Sequence, residues 1–336
     1  MIIAVDAMGG DYAPHEIVKG AIKAAHDFEV QIALVGREKI LHVLAGRHLA
    51  KLGMTIIDAS EVIDFHESPV DGVQNKPDSS IVKGINLLKE GKADAFISAG
   101  NTGAVLYSSL AYLGKIEGID RPAIASIINI NMTAPILLID AGANADCRPN
   151  HLVQFAQLGT TYYREILGVS SPRVGLLNVG EEPGKGNHLA KQTFDLLKKT
   201  KLNFIGNIEG HDISGTKANV IVTDGFTGNI VLKTLEGLGE TFIRVRQVGQ
   251  MLSQASHRQG RELMVDVGVG SLAKRMDYRE YGGACLLGIN GNVIIAHGRS
   301  RAKTIRNGIG LAKQTVERAV CQKIKEEPYE QVSRSE

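Results

Sequence analysis

Short runs of Val, Ile, Leu and Ala recur along the chain, each followed by a glycine-bearing turn and then a segment with apolar residues at three/four spacing. The runs 2–6, 30–35, 55–58, 95–99, 123–128 and 135–140 read as strands of the first half. Those at 174–179, 203–208, 220–224, 284–289 and 293–297 read as strands of the second. Most lack polar alternation, as expected of strands covered on both faces. Helical periodicity predicts helices over 15–26, 79–90, 102–113, 150–166, 189–199 and 301–325. The last carries Ala302, Ile305, Ile309, Ala312, Val316 and Val320 as one stripe. Alternation of the two patterns specifies a doubly wound α/β sheet. No Pro/Ser-rich linker divides the chain, so a single domain over 1–325 is expected, with a polar, disordered tail at 326–336.

One stretch departs from the alternation. Between about 229 and 276 no strand pattern occurs, only two helical segments meeting near 257–260. Leu235, Leu238, Phe242, Val245, Gly249 and Leu252 on the first, and Val265, Val269, Leu272 and Met276 on the second, make a coiled-coil-like seam. A helical hairpin of this length is expected to pack against a partner subunit.

Composition narrows the class. With 43% hydrophobic and 22% charged residues the chain is globular, and a net charge of +2 with no Trp argues against a nucleic-acid binder. Cys147, Cys285 and Cys321 form no CxxC pair, which makes a reducing cytosol the default. No apolar run approaches the roughly 20 residues of a membrane span, and residues 1–6 read as an immediate strand, so membrane contact is expected to be peripheral at most. From Tyr281 to Val316 there is no Asp or Glu, while Arg299, Arg301, Lys303, Arg306 and Lys313 are present. This is either a solvated helix face or a docking surface for an acidic partner.

The turns after the strands hold the candidate chemistry, because ligands of α/β sheets sit beyond strand carboxyl ends. Strand one leads into Asp6-Ala7-Met8-Gly9-Gly10-Asp11, and strand four into Ser98-Ala99-Gly100-Asn101-Thr102-Gly103. Three later strands end in Asp140-Ala141-Gly142-Ala143-Asn144, in Asn178 followed by Lys185-Gly186-Asn187, and in Asp224-Gly225-Phe226-Thr227-Gly228-Asn229. Backbone N–H groups in such turns bind anions, so together they are expected to form one polar floor, rich in donors and poor in nucleophiles. Lys185, between two glycines, is either a solvated loop lysine or an anion ligand. His297, after the last strand, is either a structural histidine or a site acid, base or phosphate donor. Walker A, GxGxxG with its acid, GxSxG and HExxH patterns are all missing, and the ten histidines show no metal-ligand spacing; His42 and His48 share a predicted helix without a third ligand. No metal and no cofactor is expected.

As a set, these motifs resemble the bacterial phosphate acyltransferases of phospholipid synthesis. The resemblance rests on Ile3–Asp11 with Ala13-Pro14, the Ser98 and Asp140 turns, Gly118-Ile119-Asp120-Arg121-Pro122-Ala123, Gly175–Gly180, Thr223–Asn229 and Tyr281-Gly282-Gly283-Ala284, in order along nearly the whole chain. It implies a three-layer α/β/α fold with a largely parallel mixed sheet, like that of isocitrate and isopropylmalate dehydrogenases and phosphotransacetylase, plus a protruding hairpin. It also implies a homodimer that transfers a fatty acyl group from acyl carrier protein to inorganic phosphate. The acyl phosphate would pass to a glycerol-3-phosphate acyltransferase. The protein would be cytoplasmic and could sit at the inner face of the membrane through the hairpin tip. Here the tip, Ser256-His257-Arg258-Gln259-Gly260-Arg261, is basic and polar, which favours electrostatic attraction to anionic lipid over deep insertion.

For this chemistry phosphate is the nucleophile and thiolate the leaving group, so no covalent acyl-enzyme is needed. Lys185, Asn101, Asn229 and Asp224 are the expected catalytic set, with Asn229 an oxyanion donor and Asp224 orienting its loop. Asp6, Gly9, Gly10, Asp11, Ser98, Gly100, Thr102, Gly103, Asp140, Asn144, Asn178, Gly186, Asn187, Gly225, Thr227, Gly228 and His297 are the expected phosphate and substrate contacts. Arg258, Arg261, Arg299, Arg301, Lys303 and Arg306 are the expected docking cations. A transferase using acyl-coenzyme A, a nicotinamide-dependent dehydrogenase and a non-enzymatic scaffold remain as alternatives; the lack of an acidic metal cluster disfavours the second, and the polar strand ends disfavour the third.

Overall fold

The computed structural model describes residues 1–129, 135–215, 217–256 and 282–327, with side chains from 242 to 256 left aside. Eleven strands form one sheet: β1 (Ile2–Asp6), β2 (Gln31–Gly36), β3 (Thr55–Asp58), β4 (Ala95–Ser98), β5 (Ala123–Ile128), β6 (Ile136–Ile139), β7 (Val174–Leu177), β8 (Phe204–Ile208), β9 (Val220–Val222), β10 (Ala284–Leu287) and β11 (Val293–Ile295). All eleven lie within two residues of the runs read from the sequence. The order across the sheet is β3-β2-β1-β4-β11-β10-β5-β6-β9-β7-β8.

Strand direction decides where ligands can bind. β3, β2, β1, β4 and β11 run parallel, β10 is antiparallel to both β11 and β5, and β5 is antiparallel to β6. β6, β9, β7 and β8 are again parallel to one another. The two outer blocks therefore point in opposite directions. The carboxyl ends of β1 and β4 emerge at one edge of the sheet, those of β6, β7 and β9 at the other. The single polar floor expected from five strand ends is corrected accordingly, because the antiparallel pair β10–β5 reverses the sheet at its middle.

Side-chain alternation divides the core between the two faces. Ile3, Val5, Ile32 and Leu34 face one way and belong to one cluster with residues of α1 (His15–Phe28), α2 (Glu38–Leu52), α6 (Pro149–Leu167), α7 (His188–Leu197), α9 (Ala302–Glu317) and α10 (Val320–Glu326). Ala4, Val35, Phe96, Ile124 and Leu138 face the other way, toward α3 (Pro69–Asn75), α4 (Ser80–Lys89), α5 (Thr102–Ser108) and α8 (Gly225–Ser256). Fully burying each Ile or Leu contributes about 1.5–3 kcal/mol, and both faces are lined with them. The result is the expected three-layer α/β/α arrangement.

Three helical details differ from the sequence pattern. The helix expected over 301–325 is two helices, because Ala319 takes a left-handed φ of 52° between α9 and α10. The helix expected over 102–113 is α-helical only to Ser108 and finishes as a π-helical turn, Ser109–Leu113. The α3 segment, too short for a periodic signal, lies in a stretch for which the sequence pattern names no element. Of the expected hairpin, α8 is present and starts at Gly225; the second segment, with Arg258 and Arg261, lies outside the described residues, as does most of the expected tail. Along α8, Leu235 packs on the core and Leu238 is 47% exposed.

Candidate active site

Two buried carboxylates shape the glycine turns. Asp6 accepts from the N–H groups of Met8 and Gly9 (3.0 Å each), and its second oxygen accepts from the Ser98 hydroxyl at 2.6 Å. Ser98 Oγ in turn accepts from Gly100 N–H. Asp140 accepts from the N–H groups of Ile124, Gly142, Ala143 and Asn144 and from the Asn144 amide, which also donates to Pro122 O. Burial raises both carboxyl pKa values, against these donors, which lower them. The donors expected to cradle phosphate at Gly9 and Gly100 are thus directed at Asp6 and Ser98. Glycine is required here by space. A Cβ on Gly9 would lie 2.3 Å from an Asp6 carboxylate oxygen, and one on Gly228 1.9 Å from Asp140 O.

Other predicted polar residues are also builders of loops. Asn101 caps α5 by accepting from Ala104 N–H, and its amide donates to the carbonyls of Asp64 and Glu67, pinning that loop to the helix start. Asp224 caps α8 through the N–H and hydroxyl of Thr227. Asn187 caps α7, and Asn178 holds Lys185 O. Asp11 N–H donates to Gly298 O, and Gly225 N–H to Asn144 O.

Two clefts flank the first turns of α8. The larger, about 530 Å³, crosses the sheet face over Ile124, Ser126 and Ile128 of β5, Ala284 of β10 and Ile295 of β11. One wall is Thr102, Gly103 and Leu106 of α5, and the other Asn229, Leu232, Lys233, Leu235 and Glu236 of α8. Ala141–Ala143 close one end; Gly282, Gly283, Ala296, His297 and Thr304 also line the cleft. By lying across β5, this cleft reaches turns from both sheet edges. The smaller, about 330 Å³, gathers Asn178, Gly186, Asn187, Asp224 and Thr227 with Leu152, Leu176 and Leu177. The expected catalytic set is therefore divided. Asn229 lies in the larger cleft and Asp224 in the smaller, Asn101 is committed to its loop, and Lys185 is exposed on the 178–187 loop beside the smaller cleft without lining either.

The larger cleft contains a polar cluster of Lys233, Glu236, His297 and Thr304, of which the sequence reading named only His297. Glu236 is 12% exposed at its side chain and bonds Lys233 at 2.7 Å, with His297 Nε2 3.5 Å away. His297 Nδ1 faces Arg299 N–H at 3.1 Å, so the proton of the neutral ring sits on Nε2. Burial lowers the His297 pKa, helped by Lys233 and Arg299 and opposed by Glu236 and Asp11. Thr304 is buried, lines the cleft, and its hydroxyl has no hydrogen-bond partner among the described residues. Asn229, Lys233 and Glu236 stand at i, i+4 and i+7, a polar stripe along an amphipathic helix that could have been found by its spacing. Ser126 and Thr304, on a strand and a helix, give no sequence signal.

Nucleophiles are scarce. Burial pushes the Cys147 thiol up to about 12, and raises those of Cys285 and Cys321. Among the described residues no group of His, Cys, Asp and Glu is arranged to hold a metal. Two expected docking cations are matched by acids from elsewhere in the chain: Arg306 pairs with Asp27 at 2.5 Å and stacks on Phe28, and Arg299 meets Glu240 at 3.3 Å. Arg301 stacks on Tyr12, and Lys303 is exposed. The acid-free stretch in sequence is not acid-free in space.

The fold is similar to that of a phosphotransacetylase from Streptococcus pyogenes (TM-score 0.58, 18% identity, 96% of this chain and 94% of that one). It is also similar to a branched-chain phosphotransacylase from Enterococcus faecalis (TM-score 0.57, 13% identity, 94% and 99%). Two relatives called phosphate acyltransferase are closer in sequence. The one from Dehalococcoides mccartyi is 58% identical over 97% of this chain and 94% of its own length, and that from Dictyoglomus turgidum 48% over 97% of each. The family model described as fatty acid synthesis protein matches residues 1–323. With that match spanning almost every element of the sheet, and with such relatives covered nearly end to end, the chain belongs to the fatty acid synthesis protein family, the family of phosphate acyltransferases.

Proposed function

We propose that this protein transfers a fatty acyl group from acyl carrier protein to inorganic phosphate, releasing acyl phosphate for phospholipid synthesis. The observation that carries this reading is the larger cleft, where an apolar wall of Leu106, Ile124, Ile128, Leu232 and Leu235 runs into a cluster of hydrogen-bond donors. The wall suits an acyl chain and the donors suit phosphate and a developing oxyanion. With every cysteine held protonated, direct attack by phosphate on the thioester is favoured over an acyl-enzyme. The enzyme's work is then to hold the reactants together and stabilise the tetrahedral oxyanion.

In this reading Asn229 donates to the oxyanion, and Thr102 and Gly103, at the start of α5, face the phosphate. Asp224, Thr227, Gly225, Gly228, Asp140 and Asn144 fix the start of α8 against the β6 turn. Asn101 holds the α5 start in place. Lys185 attracts incoming anions from its exposed loop. A homodimer, peripheral contact with anionic lipid, and hand-over of acyl phosphate to a glycerol-3-phosphate acyltransferase complete the proposal. The test is incubation of the pure protein with palmitoyl-acyl carrier protein and phosphate, following thiol and acyl phosphate together. Equal, phosphate-dependent release of both is expected. Thiol without acyl phosphate identifies a thioesterase instead, and equal rates with palmitoyl-coenzyme A remove the carrier-protein preference.

A further inference from the structure

Near neutral pH inorganic phosphate is divided between the dihydrogen monoanion and the monohydrogen dianion, and the latter has one P–OH donor among acceptor oxygens. Sulfate has the same shape and charge but no hydroxyl. A site that tells them apart needs one acceptor set among its donors, because an acceptor facing sulfate is left as an unpaired charge against an anion.

The α8 wall of the larger cleft has this composition. Glu236, mostly buried, supplies a carboxylate whose Oε2 is held by the Lys233 ammonium at 2.7 Å. His297 Nε2–H approaches the same oxygen at 3.5 Å, its tautomer set by Arg299 N–H on Nδ1. Burial lowers the His297 pKa, which keeps the ring a neutral donor. The Thr304 hydroxyl, buried without a hydrogen-bond partner among the described residues, lines the same cleft. Two donors thus meet one carboxylate oxygen, with a hydroxyl on the wall of the same cleft.

We propose that Glu236 accepts the P–OH of monohydrogen phosphate while Lys233 and His297 donate to its other oxygens, making Glu236 the residue that selects phosphate over sulfate. The binding half of this proposal stands on the cleft alone; the proton transfer that follows rests on the acyl transfer proposed above. In that step an unprotonated phosphate oxygen attacks the thioester carbonyl carbon, and the C–O bond forms as the C–S bond breaks. The P–OH proton passes to Glu236 and from it to the departing sulfur. Monohydrogen phosphate and thioester become acyl phosphate dianion and free thiol, with nothing left over.

Calorimetric titration of the whole protein with phosphate, arsenate, sulfate and monofluorophosphate tests the binding half without any thioester. Phosphate and arsenate, which carry the hydroxyl, are expected to bind. Sulfate and monofluorophosphate, which lack it, should bind weaker by on the order of 10²-fold. Glu236→Gln, whose folding is checked by circular dichroism, should lose about tenfold in phosphate affinity and gain sulfate binding, because the amide donates where the carboxylate could only accept. Lys233→Met should weaken phosphate binding while leaving the preference over sulfate intact. Wild-type protein that binds all four anions alike overturns the proposal, as does a Gln variant that keeps full selectivity. Selective binding together with no acyl phosphate in the palmitoyl assay would leave this site standing and remove the transferase reading alone.

Discussion

Asn229 and Gly228 are adjacent, yet they answer different physical demands. Asn229 stands on the cleft wall, with its side chain beside the space a Cβ on Gly142 would fill. If it donates to the oxyanion, Asn229→Ala should lower kcat by on the order of 10²–10³ with the fold intact; unchanged turnover at saturating substrate removes it from the machinery. Lys185→Ala, by contrast, should raise the KM for phosphate or carrier protein and spare kcat, since Lys185 lines neither cleft. Gly228 has no chemistry to offer. A methyl there meets the Asp140 carbonyl, so Gly228→Ala should cost about 1–3 kcal/mol or more and displace the start of α8, read as a fall in Tm accompanied by lost activity. His297 gives a third kind of outcome. Its lowered pKa means that the neutral ring is favoured by the fold, so its contribution to stability is present above the ordinary value of about 6.5 and is lost as pH falls through the lowered value. The ring NMR titration of His297 should therefore have its midpoint below the ordinary value of about 6.5; a midpoint at or above it contradicts the burial argument.

At the scale of elements, legibility follows from what the pattern encodes. Every strand could be read because continuous Val/Ile/Leu runs have no other use in a chain that buries both faces of its sheet. Helices with a strong stripe could be read, whereas α3, only seven residues long, left no period. The break at Ala319 was invisible because its apolar stripe continues across it: Val316 and Val320 both pack inward although the backbone turns left-handed between them. Alanine in that conformation costs about 1–2 kcal/mol, part of which glycine would forfeit again in unfolded-state entropy. Ala319→Gly should therefore stabilise the protein slightly, by roughly 0.5–1 kcal/mol, seen as a small rise in Tm; a fall would mean that α9 and α10 prefer one continuous helix. The site was half legible for a related reason. Glycine turns announce themselves, but residues such as Ser126 and Thr304 come to line a cleft only through the element opposite. The turn asparagines and aspartates stand out in the sequence as a group, and most of them spend their hydrogen bonds on the loops themselves.

For the molecule as a whole, what could not be read locally was direction and charge balance. Reversal of the sheet at β10–β5 is a property of strand order, and it moves the large cleft from a strand-end floor to the sheet face. Charge shows the same dependence on long-range contacts. The stretch from Tyr281 to Val316 lacks acids, but Asp27 from α1 and Glu240 from α8 reach Arg306 and Arg299. These cations should differ in what their removal does. Arg306 lies against Phe28 with its charge matched, so Arg306→Ala is expected to lower Tm and leave carrier-protein affinity nearly unchanged. Lys303 is exposed at the start of α9. If this face receives an acidic carrier protein, Lys303→Glu should slow association several-fold at low salt, flatten the salt dependence, and leave kcat alone, because rim charges act on encounter more than on the bound state. Association kinetics measured from low to physiological ionic strength separate the two residues. An Arg306 effect on association larger than that of Lys303 would place the docking surface elsewhere, while no effect from either would make the basic stretch a solvated helix face whose charges serve the fold.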